Sequence, residues 1–160
     1  MTRDTASPAY LDRSAPIGSR VADLLDRMNV DEKLAQLGSV WSFDLMDGDE
    51  LDPALTGRLL RHGIGHITRV SGASSLGATD AARVANDLQR HLVDETRLGI
   101  PAIVHEEICS GLMAREATVF AQAIGVASTF RPEHNRTMAD QIRRQMRAVG
   151  AHHGLSPVLD

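Results

Sequence analysis

The chain holds one cysteine, Cys109, in 160 residues, which excludes an intrachain disulfide and any cysteine-rich zinc framework. Aromatic residues make up only 3%, with one tryptophan and one tyrosine. Basic residues are not in excess: 17 Lys and Arg stand against 21 Asp and Glu, a net charge of −4. Nucleic acid and anionic membrane surfaces require a basic surplus, so neither is an expected partner. No apolar run approaches the roughly 20 residues of a membrane span, and Met1–Val21 has no signal-peptide core. A soluble, cytoplasmic chain is the expectation. What remains is ordinary globular composition, 42% hydrophobic and 24% charged, at a length that suits one core.

Residues 1–19 are polar, with Pro8, Pro16 and Gly18, and read as an extended arm. From there, Val21, Leu24, Leu25 and Met28 fall at helical spacing and form one amphipathic stripe. Asn29 with Glu32 resembles a capping box and predicts a second helix over Val30–Leu37. Gly38–Phe43 reads as a first strand, closed by the acidic turn Asp47–Glu50. Asp52-Pro53 starts a helix with the stripe Leu55, Leu59 and Leu60, and Gly63 stops it. Gly65–Val70 is a second strand, Thr79–Thr96 a helix ended by Gly99, and Ile100–Val104 a strand whose unbroken apolar character predicts burial on both sides. After a small-residue stretch, Gly111–Ser128, a helix over Pro132–Ala148 carries Met138, Ile142 and Met146, and Leu155–Leu159 begins a fourth strand. Alternating strands and helices predict parallel strands with right-handed crossovers. Two folds are built that way, the open doubly wound sheet and the closed (β/α)8 barrel, and a full barrel takes about 250 residues where four candidate strands stand here. The fold class is therefore α/β, a partial (β/α)8 TIM barrel with about the first four strand–helix units over residues 20–160.

Several segments imitate functional motifs. Gly72–Thr79 has the glycine spacing of a phosphate loop, but position 78 is alanine where the lysine belongs, so it reads as a plain loop. His105-Glu106-Glu107-Ile108-Cys109 lacks the second histidine of a zinc protease motif, and the adjacent His152 and His153 point to opposite faces of a strand. No metal site is expected. No serine sits in a nucleophile elbow. The pair Glu106–Glu107 stands at the carboxyl end of a strand, where barrels build their substrate sites. Neighbouring strand residues face opposite sides, so one of the two can meet a ligand while the other meets a helix or a cation. A solvated acidic turn fits those residue types equally well. Trp41 and Phe43 suit stacking on a sugar face, and suit a core position at least as well.

The stretch His105–Phe130, with Ala-Thr-Val-Phe-Ala-Gln-Ala-Ile at its centre, resembles the amino-terminal domain of glycoside hydrolase family 3. Met28–Leu37 resembles the family's opening helix, and Gly63–Ile67, Arg97–Pro101 and Gly154–Asp160 resemble its second, third and fourth strands in order. The resemblance implies a retaining, exo-acting β-glucosidase or β-xylosidase that works through a covalent glycosyl-enzyme without metal or organic cofactor. Its partners would be β-linked gluco- or xylo-oligosaccharides or aryl β-glycosides. Glu107 matches the acidic residue that holds the sugar hydroxyls, a task suited to a carboxylate that accepts two charge-assisted hydrogen bonds. Trp41 and Glu106 are further candidate sugar contacts.

The chain departs from the family pattern at Ser110, Glu116 and Ala121, where many members carry histidine, glycine and proline, and around Arg131, near which members tend to have an acidic residue. The family's remaining sugar-binding residues, its aspartate nucleophile and its general acid all follow the fourth strand. The expectation is thus a first half-barrel, catalytically silent alone, with no catalytic residue of its own. The alternative is a non-catalytic binding or assembly module that pairs with itself or with a missing second half.

Overall fold

In the computed structural model, which describes residues 8–158, prolines and one asparagine set where the first helices begin. Helix α1 (Ile17–Arg27) follows Pro16, and α2 (Val30–Leu37) follows Asn29. The Asn29 side chain accepts from the Glu32 amide and the Glu32 carboxylate accepts from the Asn29 amide, both at 2.9 Å. The predicted capping box is therefore complete, and it satisfies two amides that helix geometry leaves without partners. The arm expected over residues 1–19 is not simply extended. Ala9–Leu11 forms a 3-10 turn, α1 already starts at Ile17, and the Tyr10 hydroxyl donates to the Leu98 carbonyl at 2.9 Å. Residues 1–7 lie outside the described part.

Four strands form one parallel sheet: β1 (Ser39–Trp41), β4 (His66–Thr68), β5 (Ile103–Glu107) and β6 (His153–Leu155), in that spatial order. A small hairpin, β2 (Met46–Asp47) and β3 (Glu50–Leu51), turns at Gly48 with φ +62. Helices α3 (Pro53–Leu59), α4 (Ala78–Glu95), α5 (Ala123–Ala127) and α6 (Pro132–Ala148) fill the connections. Asp52 caps α3, its carboxylate accepting from the amides of Ala54 and Leu55 at 2.7 and 3.1 Å, with Pro53 at the first helical position. Among the described residues no helix is long and apolar enough to cross a membrane.

Register sorts the strand residues onto two faces. Val40, Ile67 and Val104 share one row, and this face packs on the α4 stripe Ala81, Val84, Ala85, Leu88 and Leu92 and on Ile142 and Met146 of α6. Fully burying a leucine or valine contributes about 1.5–3 kcal/mol, so this layer dominates the stability of the chain. The opposite face carries Trp41, Thr68, His105 and His153 in one row. Four parallel strands in sequential order, with their helices on one side, make an arc of a (β/α)8 barrel whose concave side is this second face.

All four strand boundaries differ from the sequence reading; the second strand runs over His66–Thr68 rather than Gly65–Val70, because the chain turns at Arg69. The first strand ends at Trp41 rather than Phe43, because Ser42–Leu45 winds into a 3-10 turn that buries Ser42 and Leu45 completely. The third strand runs over Ile103–Glu107 rather than Ile100–Val104. Pro101 has no amide for the ladder, and the backbone of Ala102 is instead held by Gln89 of α4, through bonds of 3.0 and 2.8 Å. Nor is β5 buried on both sides: Val104 and Glu106 are sealed, whereas Ile103 is 44% exposed. The fourth strand spans His153–Leu155, and Leu159 lies outside the described residues.

Candidate functional site

The carboxyl ends of β4 and β5 meet where two chains of contacts cross. After Thr68 the backbone turns sharply at Arg69, which adopts φ 55. Its amide donates to the His105 carbonyl at 2.9 Å, and its carbonyl accepts from the buried Ser42 hydroxyl at 3.0 Å. The Arg69 guanidinium donates to the Gly72 carbonyl at 3.0 Å, leaving its Nε buried without a partner. A left-handed arginine costs about 1–2 kcal/mol, a strain that persists only because β1, β5 and the following turn hold it.

Glu106 and Glu107 point in opposite directions, as alternation requires. Glu106 is 0% exposed and lies on the helix-covered side, where Oε1 accepts from the Ser71 amide at 2.7 Å and Oε2 from the Gly72 amide at 3.1 Å. Burial pushes its carboxyl above the usual carboxylate range, and the two amides and the Arg69 charge oppose that shift. Such a side chain cannot touch a sugar on the open face, so the expected contact at Glu106 is replaced by a backbone clamp. Gly72 makes the clamp possible, since a Cβ there would sit 2.8 Å from Arg69 Nη2, Glu106 Oε2 and the Met113 carbonyl.

Glu107 lies in register with Leu155 at the tip of the concave face, half-buried, and its carboxylate accepts no hydrogen bond among the described residues. Below it His105 bonds Thr68 Oγ1 through Nε2 at 2.9 Å, and its ring lies 6.1 Å from that of His66 and 6.5 Å from that of His153. Burial, and then these two neighbouring rings, hold His105 below its ordinary value. No group of three ligand-type side chains among the described residues is arranged to hold a metal ion. Trp41 stands on the same face two strands away, 43% exposed, stacked on Phe43 with ring centroids 5.3 Å apart. Structure thus brings Glu107 and Trp41 to one concave surface and takes Glu106 off it. Arg69, which the sequence reading passed over, braces the turn after β4 through the Gly72 carbonyl and, at 3.5 Å, the Met113 carbonyl; its signal was a lone cation directly after a β-branched strand.

The loop beyond β5 holds the departures noted in the sequence. Glu116, at a position where many members of the resembled family carry glycine, has φ 64. Arg131 precedes α6 without offering its amides a side-chain acceptor, and pairs with Glu133 instead at 2.7 Å.

Residues 29–160 match the model of the glycosyl hydrolase family 3 N terminal domain. A probable beta-glucosidase C of Aspergillus flavus is 34% identical over 99% of this chain and 26% of its own length. A periplasmic beta-glucosidase/beta-xylosidase of Dickeya chrysanthemi is 30% identical over 100% of this chain and 26% of its own. The solved structure of a beta-glucosidase from Erythrobacter marinus superposes with a TM-score of 0.80 at 35% identity, covering 94% of this chain and 20% of that one. The chain therefore spans about a quarter of the length of the curated relatives it matches. With its parallel arc, its ordered motifs and these likenesses, the chain belongs to glycosyl hydrolase family 3 and carries that family's amino-terminal domain sequence.

Proposed function

We propose that this chain forms one wall of the sugar site of a retaining, exo-acting β-glucosidase or β-xylosidase. The observation that carries this reading is Glu107, an unengaged carboxylate at the carboxyl end of a parallel strand, on the concave face, where barrel enzymes bind their substrates. A vicinal diol of a terminal, non-reducing glucose or xylose can give such a carboxylate two charge-assisted hydrogen bonds. Trp41 offers an exposed ring on the same face against which the apolar side of a pyranose can lie. Oligosaccharides and aryl β-glycosides of these sugars are the substrate class, supported by the names of the relatives.

Retaining hydrolysis needs two carboxyl groups about 5–5.5 Å apart. The concave face of β1, β4, β5 and β6 offers one, Glu107. The 160-residue chain by itself is thus a binder and not a catalyst. Purified chain is incubated with an aryl β-glucoside beside a boiled control, and sugar binding is followed by ligand-observed NMR and by the emission of Trp41, the chain's one tryptophan. Millimolar binding without turnover is the expected result. Turnover above the control overturns the division of labour, and absence of any response overturns the sugar site.

A second reading is favoured by the two sheet edges. Neither β1 nor β6 has an outer neighbour among the described residues, and unpaired edges invite partners. A non-catalytic assembly module would close them with a second copy or a separate half-barrel. Light scattering after size exclusion decides for self-pairing: a defined dimer supports it and a monomer removes it, leaving only a separate half-barrel as the partner.

A further inference from the structure

Glu106 is the most deeply buried charged side chain among the described residues. Burying a carboxylate is costly, and a neutral amide could serve as an ordinary packing residue at far lower cost. The acceptor set shows what the charge does there. Ser71 and Gly72 offer two successive amides in the turn after β4, where the ladder has ended, and the carboxylate takes one with each oxygen at 2.7 and 3.1 Å. The same turn is tied to the 3-10 turn after β1 through Ser42, to β5 through the His105 carbonyl, and to itself through the Arg69–Gly72 bond. A chain neighbour fixed on one face of a strand also fixes the direction of the next side chain on the other face.

We propose that Glu106 is a positioning residue for the sugar site: by locking the turn after β4 onto the tip of β5, it sets where Glu107 stands toward a bound glycoside. The role rests on the sugar-site reading above and deepens it. Glu106 touches no substrate; it acts through the Ser71 and Gly72 amides and through its peptide bond to Glu107. Bidentate acceptance is the reason a carboxylate stands here, because an amide side chain turns an N–H toward one of the two backbone donors.

The test compares Glu106→Gln with Glu107→Gln in the intact chain. In Glu106→Gln the chain still melts cooperatively, the Ser71 and Gly72 amides exchange at least about tenfold faster, and the dissociation constant for methyl β-glucoside, read by ligand-observed NMR, rises about tenfold. In Glu107→Gln sugar binding falls while those two amides keep their protection. Unchanged exchange in Glu106→Gln overturns the clamp. Faster exchange with unchanged affinity overturns the positioning role and leaves a merely structural one. Where Glu106→Gln does not fold, Glu106→Asp, which keeps the charge and withdraws it by one methylene, is read in the same way. A wild-type chain that binds no glycoside while both amides stay protected overturns the sugar-site reading rather than the clamp, and the positioning role falls with it.

Discussion

Glu106 and Glu107, adjacent in the chain, occupy opposite environments: one carboxylate is sealed against two backbone amides and the other lies open on the concave face. One peptide bond separates a carboxylate clamped by backbone from the one proposed to hold the sugar. Glu107→Gln is expected to lower glycoside affinity about tenfold, the loss of charge assistance in one or two hydrogen bonds, with a melting temperature close to wild type. Unchanged affinity in that variant removes Glu107 from the site.

Gly65 allows α2 to approach the start of β4. A Cβ there would lie 2.1 Å from the Gln36 carbonyl oxygen, a backbone atom that cannot step aside. Gly65→Ala should therefore destabilise the chain by about 3 kcal/mol, at the upper end of overpacking costs. Urea denaturation measures it, and a loss below about 1 kcal/mol contradicts the close approach.

The opposite sign is expected at Glu116. Its φ of 64 places a side chain in the left-handed region, and its pairing with Arg115, at 3.8 Å between exposed groups, contributes little. Glu116→Gly should stabilise the chain by about 0.5–1 kcal/mol, the relief of strain exceeding the added freedom of the unfolded glycine. A lowered denaturation midpoint counts against the observed backbone.

Histidine 105 gives the stability a pH dependence. His66, His153, Glu107 and Arg69 face it, and burial followed by the two histidines lowers its value below the ordinary 6.5. The unfolded chain then takes up a proton first as pH falls. The contribution is complete above about 6.5 and is lost as pH drops toward the lower folded value. Glu106 works in the other sense, because its raised value means a contribution that is present in acid and fades as pH rises through the folded value. Urea midpoints at pH 7.5 and 5.5 should converge in His105→Gln relative to wild type. Equal differences in the two proteins would sink the assignment to this ring.

Much of the architecture was legible because local and tertiary signals agree. Asn29 with Glu32 and Asp52 with Pro53 act where the sequence places them, and the stripes of α4 and α6 face the sheet; Gly63, expected to stop α3, lies beyond it, because the helix already ends at Leu59 with Leu60 as its cap. Misplaced boundaries arose where a side chain replaces a ladder bond. Ile100–Val104 looks like a strand by hydrophobicity, yet Pro101 denies it one. The short helix α5, five residues among small side chains, left no period to read. At the site, alternation was enough to say that Glu106 and Glu107 part company. It was not enough to say which goes inward, because that depends on the register with β4 and on amides that appear only after the turn at Arg69 has formed.

The bonds from Gln89 to Ala102 have a further consequence for how the layers come together. A helical amide here stands in for a neighbouring strand, supplying both the acceptor and the donor that Ala102 needs. Sliding α4 by a single turn along the sheet would strand both groups of that peptide in a dry place, with nothing to replace them. The helix therefore has one permitted docking height, and the start of the third strand cannot settle before the helix has found it.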